Sequence, residues 1–424
     1  AHNNSDGDYG ENSDQDIIKC GSYTGNGSSS GPTIDLGFEP QFVIIKAATN
    51  YTSGNWLMLD TMRGWTANSG NQTGLYANLS DAEIAANSGL SPTATGFQIK
   101  DTTPQINGSG NTYIYVAIRR PNKPASEFAG TDLFAIDTYG STGDGAEPGF
   151  RSTLPIDMAI RADTGVASNE ISSRLTQGKW MYTNLVNTEA SQSLAQFDYQ
   201  NGWFAATGTA SNYYSWMFRR APGFFDVVAY EGNGSAGHAV THNLGVAPEM
   251  IWVKNRDGTN EWVVYSSNLG QGIFRVNTNE AFYAHTSYWN NVTPSSSTFT
   301  LGSNVITNTS SNSYIAYLWA SAAGISKVGT YTGTGSDVNV DCGFSAGARF
   351  VLIKRTDSTG DWYVWDSLRG IVAGDDPYFL LNDTAAQVTN TDYIDPLSSG
   401  FTVTSSAPAA LNNSGGTYLF YAIA

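Results

Sequence analysis

Apolar and polar positions alternate along this chain in short runs, and the runs recur in a fixed order. The fullest example is Trp362-Tyr363-Val364-Trp365-Asp366-Ser367-Leu368-Arg369-Gly370, an aromatic stretch running into an Asp, an Arg and a Gly. Trp56-Leu57-Met58-Leu59-Asp60-Thr61-Met62-Arg63-Gly64 repeats it, the run from Trp262 to Gly270 repeats it more weakly, and the run from Trp180 to Asn187 is the faintest copy. Three further phrases recur around it. An opening Tyr precedes a Gly turn at Tyr23, Tyr139, Tyr230 and Tyr331. A buried-type apolar run ends in a cation at Lys46, Arg161, Lys254 and Lys354, and a closing run starts at Tyr113, Tyr214, Tyr314 and Tyr418. Aromatic and β-branched runs bounded by Gly, Pro, Ser, Thr and Asn are strand signals. A phrase order that returns every ~100 residues is too long for a solenoid or propeller repeat and long enough to hold its own core.

The reading is therefore all-β: tandem antiparallel β-sandwich modules, lectin-like or jelly-roll-like, in four repeats of about 100 residues. Residues 1–16 are a polar acidic arm. Repeat one is 17–123, the divergent repeat two is 124–222, repeat three is 223–322 and repeat four is 323–424. Either the four sandwiches pack in two pairs or each repeat forms half of a larger sandwich. The one helix signal is weak, a segment from Asp81 to Asn87 that follows Leu75-Tyr76-Ala77-Asn78.

Composition narrows the partners. Lys plus Arg number 21 against 37 Asp plus Glu, a formal charge of −16, which argues against binding nucleic acid through its phosphates. Apolar runs stay far below the length of a membrane-spanning helix, so no membrane insertion is expected. Residue 1 is Ala rather than Met, which leaves processing open. Cys20 and Cys342 occupy non-equivalent places in their repeats. They exclude a disulfide framework and leave at most one bridge.

Candidate chemistry is sparse. Trp56, Asp60 and Arg63, with Trp362, Asp366 and Arg369, form the sharpest constellation. A Trp face and an Asp–Arg pair suit a sugar, but the same residues suit a structural pair capping a Gly turn. Ser266 and Leu269 take the Asp and Arg places in repeat three, and Asn184 takes the Asp place in repeat two. The cations at Lys46, Lys254, Lys354 and Arg161 look architectural, snorkelling past a sheet edge. Calcium candidates are Asp6 and Asp8, with Glu11, Asn12 and Asp14 beside them, and the pair Asp375-Asp376. No other cofactor is implied. His238 and His242 lie on no helix that would bring them together, and no nucleophile elbow or phosphate loop occurs, so no enzyme is expected.

The phrases Gly37-Phe38-Glu39-Pro40 with Phe42 to Lys46, and Trp56 with Asp60 to Gly64, together with their copies in repeats three and four, resemble a module of structural, tail-fibre-like proteins of marine and cyanobacterial tailed phages. The resemblance implies a virion component with a lectin-like sandwich fold; stiff repeated β modules with few charges suit an extracellular protein, whose expected partners are itself, other virion proteins and a host-surface glycan. It transfers no binding residue. Two readings follow: an adhesive phage appendage, or a capsid-decoration or assembly subunit whose modules bind neighbours. A carbohydrate-active enzyme is the weaker third.

Overall fold

A computed structural model describes residues 16–49, 54–67, 72–86, 89–139, 148–192, 195–204 and 212–424. The arm candidates Asp6, Asp8, Glu11, Asn12 and Asp14 lie outside them. The chain is all-β, with antiparallel sheets repeated in units of about 100 residues. Each repeat builds one large sheet with the same strand order: opening, closing, central, Trp and edge. In repeat one these are Ile18–Thr24, Thr112–Arg119, Pro40–Ala47, Leu57–Asp60 and Gln72–Tyr76. In repeat two they are Phe134–Thr138, Tyr213–Phe218, Met158–Asp163, Glu170–Ser173 and Lys179–Tyr182. Repeat three uses Phe225–Glu231, Ser313–Trp319, Met250–Asn255, Val263–Ser266 and Gly270–Arg275, and repeat four Ser326–Thr332, Thr417–Ile423, Phe350–Arg355, Trp362–Asp366 and Phe379–Leu380. A smaller sheet accompanies each, for example Thr33–Asp35, Gly96–Ile99 and Leu90–Thr93 in repeat one.

Strand alternation divides the two faces of each large sheet. In repeat one Val43, Ile45, Leu59, Tyr113, Tyr115 and Ala117 point inward and meet Ile34, Phe97 and Ile99 of the small sheet in one core. Repeats three and four hold equivalent cores. The opening and closing tyrosines stack inside them, Tyr23 on Tyr113 and Tyr230 on Tyr314 at 5.0 Å, Tyr331 on Tyr418 at 4.8 Å. Each opening hydroxyl donates to a carbonyl of a short helix: Tyr23 to Ile106 at 2.7 Å, Tyr230 to Thr307 at 2.8 Å, Tyr331 to Leu411 at 2.7 Å.

Those helices, Pro104–Asn107, Val305–Asn308 and Ala409–Asn412, carry no strong sequence signal. They end on a buried Asn that clamps the opening turn. Asn107 Oδ1 accepts from the Asn26 amide at 2.9 Å, Asn308 from Asn233 at 2.8 Å and Asn412 from Thr334 at 3.0 Å. The Gly beside the turn is required by this approach, since a Cβ on Gly25 would stand 2.5 Å from the Gly108 carbonyl. Conversely, the helix signal fails over Asp81 to Ala86, Asn87 lying outside the described residues. Ile84–Ala86 is a strand paired to Gln72–Gly74, because edge pairing satisfies backbone groups that so short a helix would leave open.

By contacts the chain forms two compact units. One is residues 1–123 with 174–178 and 196–198. The other is 124–173, 179–195 and 199–424, which places most of repeat two with repeats three and four. The grouping is thus not two pairs. Cys20 and Cys342 are both free.

Candidate functional site

Register fixes which residues of the repeats are equivalent, and it corrects repeat two. Central-strand residues Phe42, Met158, Met250 and Phe350 pair with Asp60, Ser173, Ser266 and Asp366. Counting along the strands, the cation slot of Lys46, Lys254 and Lys354 falls on Ala162, not Arg161. The Trp slot of Trp56, Trp262 and Trp362 falls on Asn169, and the Asp slot on Ser173, not Asn184. Trp180 lies on the edge strand, one strand beyond the Trp strand. The closing Tyr of repeat two is Tyr213, not Tyr214. A one-residue slip in register accounts for Arg161 and Tyr214, whereas Trp180 and Asn184 were misplaced because the aromatic phrase stands on the following edge strand and the true slot holds Asn169. Arg161 instead pairs with Glu170 and lies over the Tyr213 ring at 4.3 Å.

In the second unit the Trp slots are consumed by neighbours. Trp262 is fully buried and donates Nε1–H to the Tyr182 carbonyl at 2.8 Å. Trp362, 1% exposed, donates to the Arg275 carbonyl at 2.8 Å. Asn169 closes the set by donating Nδ2–H to the Leu380 carbonyl at 2.9 Å. The three acceptors are themselves equivalent, each paired to the residue after the Trp slot. A second set follows the same order: the Glu189, Phe282 and Gln387 amides donate to the Arg256, Thr356 and Thr164 carbonyls at 2.9, 2.9 and 3.0 Å. Repeat three thus docks on two, four on three, and two on four. Three head-to-tail interfaces that return to their origin make a closed ring.

The outer sheet faces fill the ring with aromatic rings. Phe134 meets Phe350 at 5.3 Å, Phe218 meets Trp319 at 6.3 Å, Trp319 meets Tyr421 at 6.1 Å and Trp252 meets Trp362 at 5.8 Å. The Asp366–Arg369 pair belongs to this packing. Arg369 Nε donates to Asp366 Oδ2 at 2.6 Å, Trp216 Nε1 of repeat two donates to the same oxygen at 2.9 Å, and the guanidinium lies 4.3 Å from the Phe379 ring centre. Both side chains are essentially without solvent contact, 0% and 1% exposed. Their repeat-one counterparts keep the local geometry, Arg63 Nε to Asp60 Oδ2 at 2.6 Å, but stand partly in solvent. Trp56 is half-buried.

The lysines do not snorkel. Lys254 is fully buried and donates to the carbonyls of Val186, Asn255, Gly258 and Asn260 at 2.8–3.3 Å. Lys354 donates to Gly360 and Lys46 to Gly54. Burial pulls Lys254 and Lys354 down to about 8, a shift the sequence did not reveal. The carbonyl cage around Lys254 gives that cation a structural task, tying the loop 255–260 to Val186 of the neighbouring repeat.

Calcium candidates Asp375 and Asp376 gain no ligand set: no group of three or more acidic, His or Cys side chains able to hold a metal occurs among the described residues. Asp376 is fully buried, accepts from the Val372 amide at 2.7 Å, and is pushed up to about 7 by desolvation and by Asp392, Asp395 and Asp375. His238 and His242 bind Asn308 and the Ser295 carbonyl separately. A cleft of about 420 Å³ on repeat two is lined by Arg161, Asp163, Glu170, Tyr182 and Tyr213 among others. No helix in the described residues is long and apolar enough to cross a membrane.

A family profile described as Domain of unknown function (DUF7483) matches residues 12–121 and 160–424. The chain belongs to this family. The match omits 122–159, the first part of the divergent repeat, whose Trp and cation slots have also changed. No curated protein matches the chain.

Proposed function

We propose that this chain is a non-enzymatic structural protein of an extracellular assembly, a virion surface being the setting the sequence resemblance supplies. Its modules act by binding one another and neighbouring subunits. The observation that carries this is the use of the recurring Trp slot. At Trp262 and Trp362 the indole is sealed against an equivalent carbonyl of the next repeat, not held open for a ligand. Aromatic anchors buried around a pair of fully desolvated charges are the chemistry of permanent interfaces.

An adhesive role is favoured by one feature, the repeat-two cleft, where the Tyr182 and Tyr213 rings stand beside Arg161, Asp163 and Glu170. Aromatic faces with charged hydrogen-bonding groups suit a sugar. The test is to add the purified protein to particles that lack it and, separately, to screen it on envelope glycans with and without calcium. Saturable binding to the particles without a glycan signal is the expected result. Glycan binding lost in Tyr213→Ala would move the reading to adhesion, and steady polysaccharide hydrolysis would defeat both.

A further inference from the structure

Repeat one carries the docking elements of the ring. Its Trp slot is Trp56, and the acceptor position paired to Leu57 is Tyr76. The second donor and acceptor positions fall, at the same spacing, on Glu83 and Ala48, both exposed. The outer face of its large sheet presents Ile18, Phe42, Ile44, Met58, Val116 and Ile118. Ile18 is 37% exposed, and the rest are half-buried. The same positions in the other repeats are sealed: Phe134, Phe225 and Ser326 for Ile18; Met158, Met250 and Phe350 for Phe42; Trp216, Tyr317 and Tyr421 for Val116; Phe218, Trp319 and Ile423 for Ile118.

We propose that this face is a three-fold self-association surface, on which the first repeats of three chains build the ring that repeats two, three and four build within one chain. The occupant is argued from the molecule itself. What covers the equivalent face three times over is another copy of the same fold, docked head to tail, and the contact closes after three. Repeat one retains the indole donor and an apolar face. Ile18, Val116 and Ile118 stand where the ring carries mostly aromatics, and Phe42 keeps an aromatic of the kind enriched at interface cores. In the trimer Trp56 Nε1–H would meet the Tyr76 carbonyl of the next chain, and the Glu83 amide would meet its Ala48 carbonyl. The surface does not depend on whether the assembly is a virion or whether it binds glycans.

The full chain tests this by sedimentation equilibrium and by thiol alkylation. Cys20 lies on the same face and is exposed within one chain, whereas Cys342 is buried. The native protein should have three times the 45.4 kDa mass of one chain and should protect Cys20 from alkylation. Ile44→Arg and Val116→Asp, on half-buried surface positions, should give monomers with unchanged circular dichroism and freely reactive Cys20. Trp56→Phe, which keeps the ring and removes the donor, should raise the dissociation concentration by roughly tenfold. A native monomer or dimer at all concentrations would overturn the proposal. So would a trimer that persists in both charge variants, or Cys20 reacting equally fast in native and variant protein.

Discussion

The value of one Asp–Arg pair here depends on what surrounds it. Asp60–Arg63 and Asp366–Arg369 share spacing and geometry, yet the first is partly solvated and the second is sealed beneath Trp216 and Phe379. Removing the acid in the sealed pair leaves a guanidinium buried without a counter-ion. Asp366→Ala should therefore cost about 3–5 kcal/mol, and Asp60→Ala less than about 1 kcal/mol, both read from urea unfolding. Equal losses would show that burial does not set the difference. Asp376 gives a pH signature. Its carboxyl titrates near 7 when folded against an ordinary 3.8, so between those values the folded state holds the extra proton and stability falls as pH rises. Asp376→Asn still accepts from the Val372 amide and should be more stable than the native chain at pH 8, by on the order of 1–2 kcal/mol. The advantage should shrink as pH falls toward 3.8 and vanish below it, where the native carboxyl is protonated in both states. A gap that is constant with pH would remove burial of the charge as its cause.

Among the elements, the short helix ending in a buried Asn was legible only in retrospect. Asn107, Asn308 and Asn412 each stand six residues before the closing Tyr, a spacing visible in the chain. Four residues are too few to announce a helix by pattern, because its stability comes from clamping the opening turn and not from propensity. Asn308 Nδ2 donates to the Ser235 and Gly302 carbonyls at 2.8 Å while its Oδ1 accepts from Asn233. Asn308→Ala should cost about 2–4 kcal/mol by stranding those groups and should speed hydrogen exchange at the Asn233 and Gly234 amides. Unchanged exchange there would mean that the turn holds without the clamp. The Trp strand shows the opposite case. Its identity was plain in repeats one, three and four, but in repeat two the chemistry had moved to Asn169, an amide that reaches the same carbonyl without an aromatic ring.

For the whole chain, the two compact units predict two unfolding events. The second unit gathers three repeats through cyclic contacts, so they should melt together instead of one by one. In calorimetry Trp362→Ala should lower one transition by several degrees, with about 3–5 kcal/mol lost, and leave a second, belonging to repeat one, in place. Three separate transitions within the second unit, one for each of repeats two, three and four, would refute a cooperative ring. The sequence by itself determined the all-β class, the repeat of about 100 residues, the main strands of repeats one, three and four, and the Asp–Arg spacing. Each of these is local, set by turn residues and by side chains on one strand. Only the tertiary structure decided the register of repeat two, the burial of the lysines, the three-and-one grouping, and the ring in which Trp262, Trp362 and Asn169 meet equivalent carbonyls. Those depend on which outer faces come together, and an apolar outer residue such as Trp252 has the same alternating pattern whether it faces water, a ligand or another copy of its own fold.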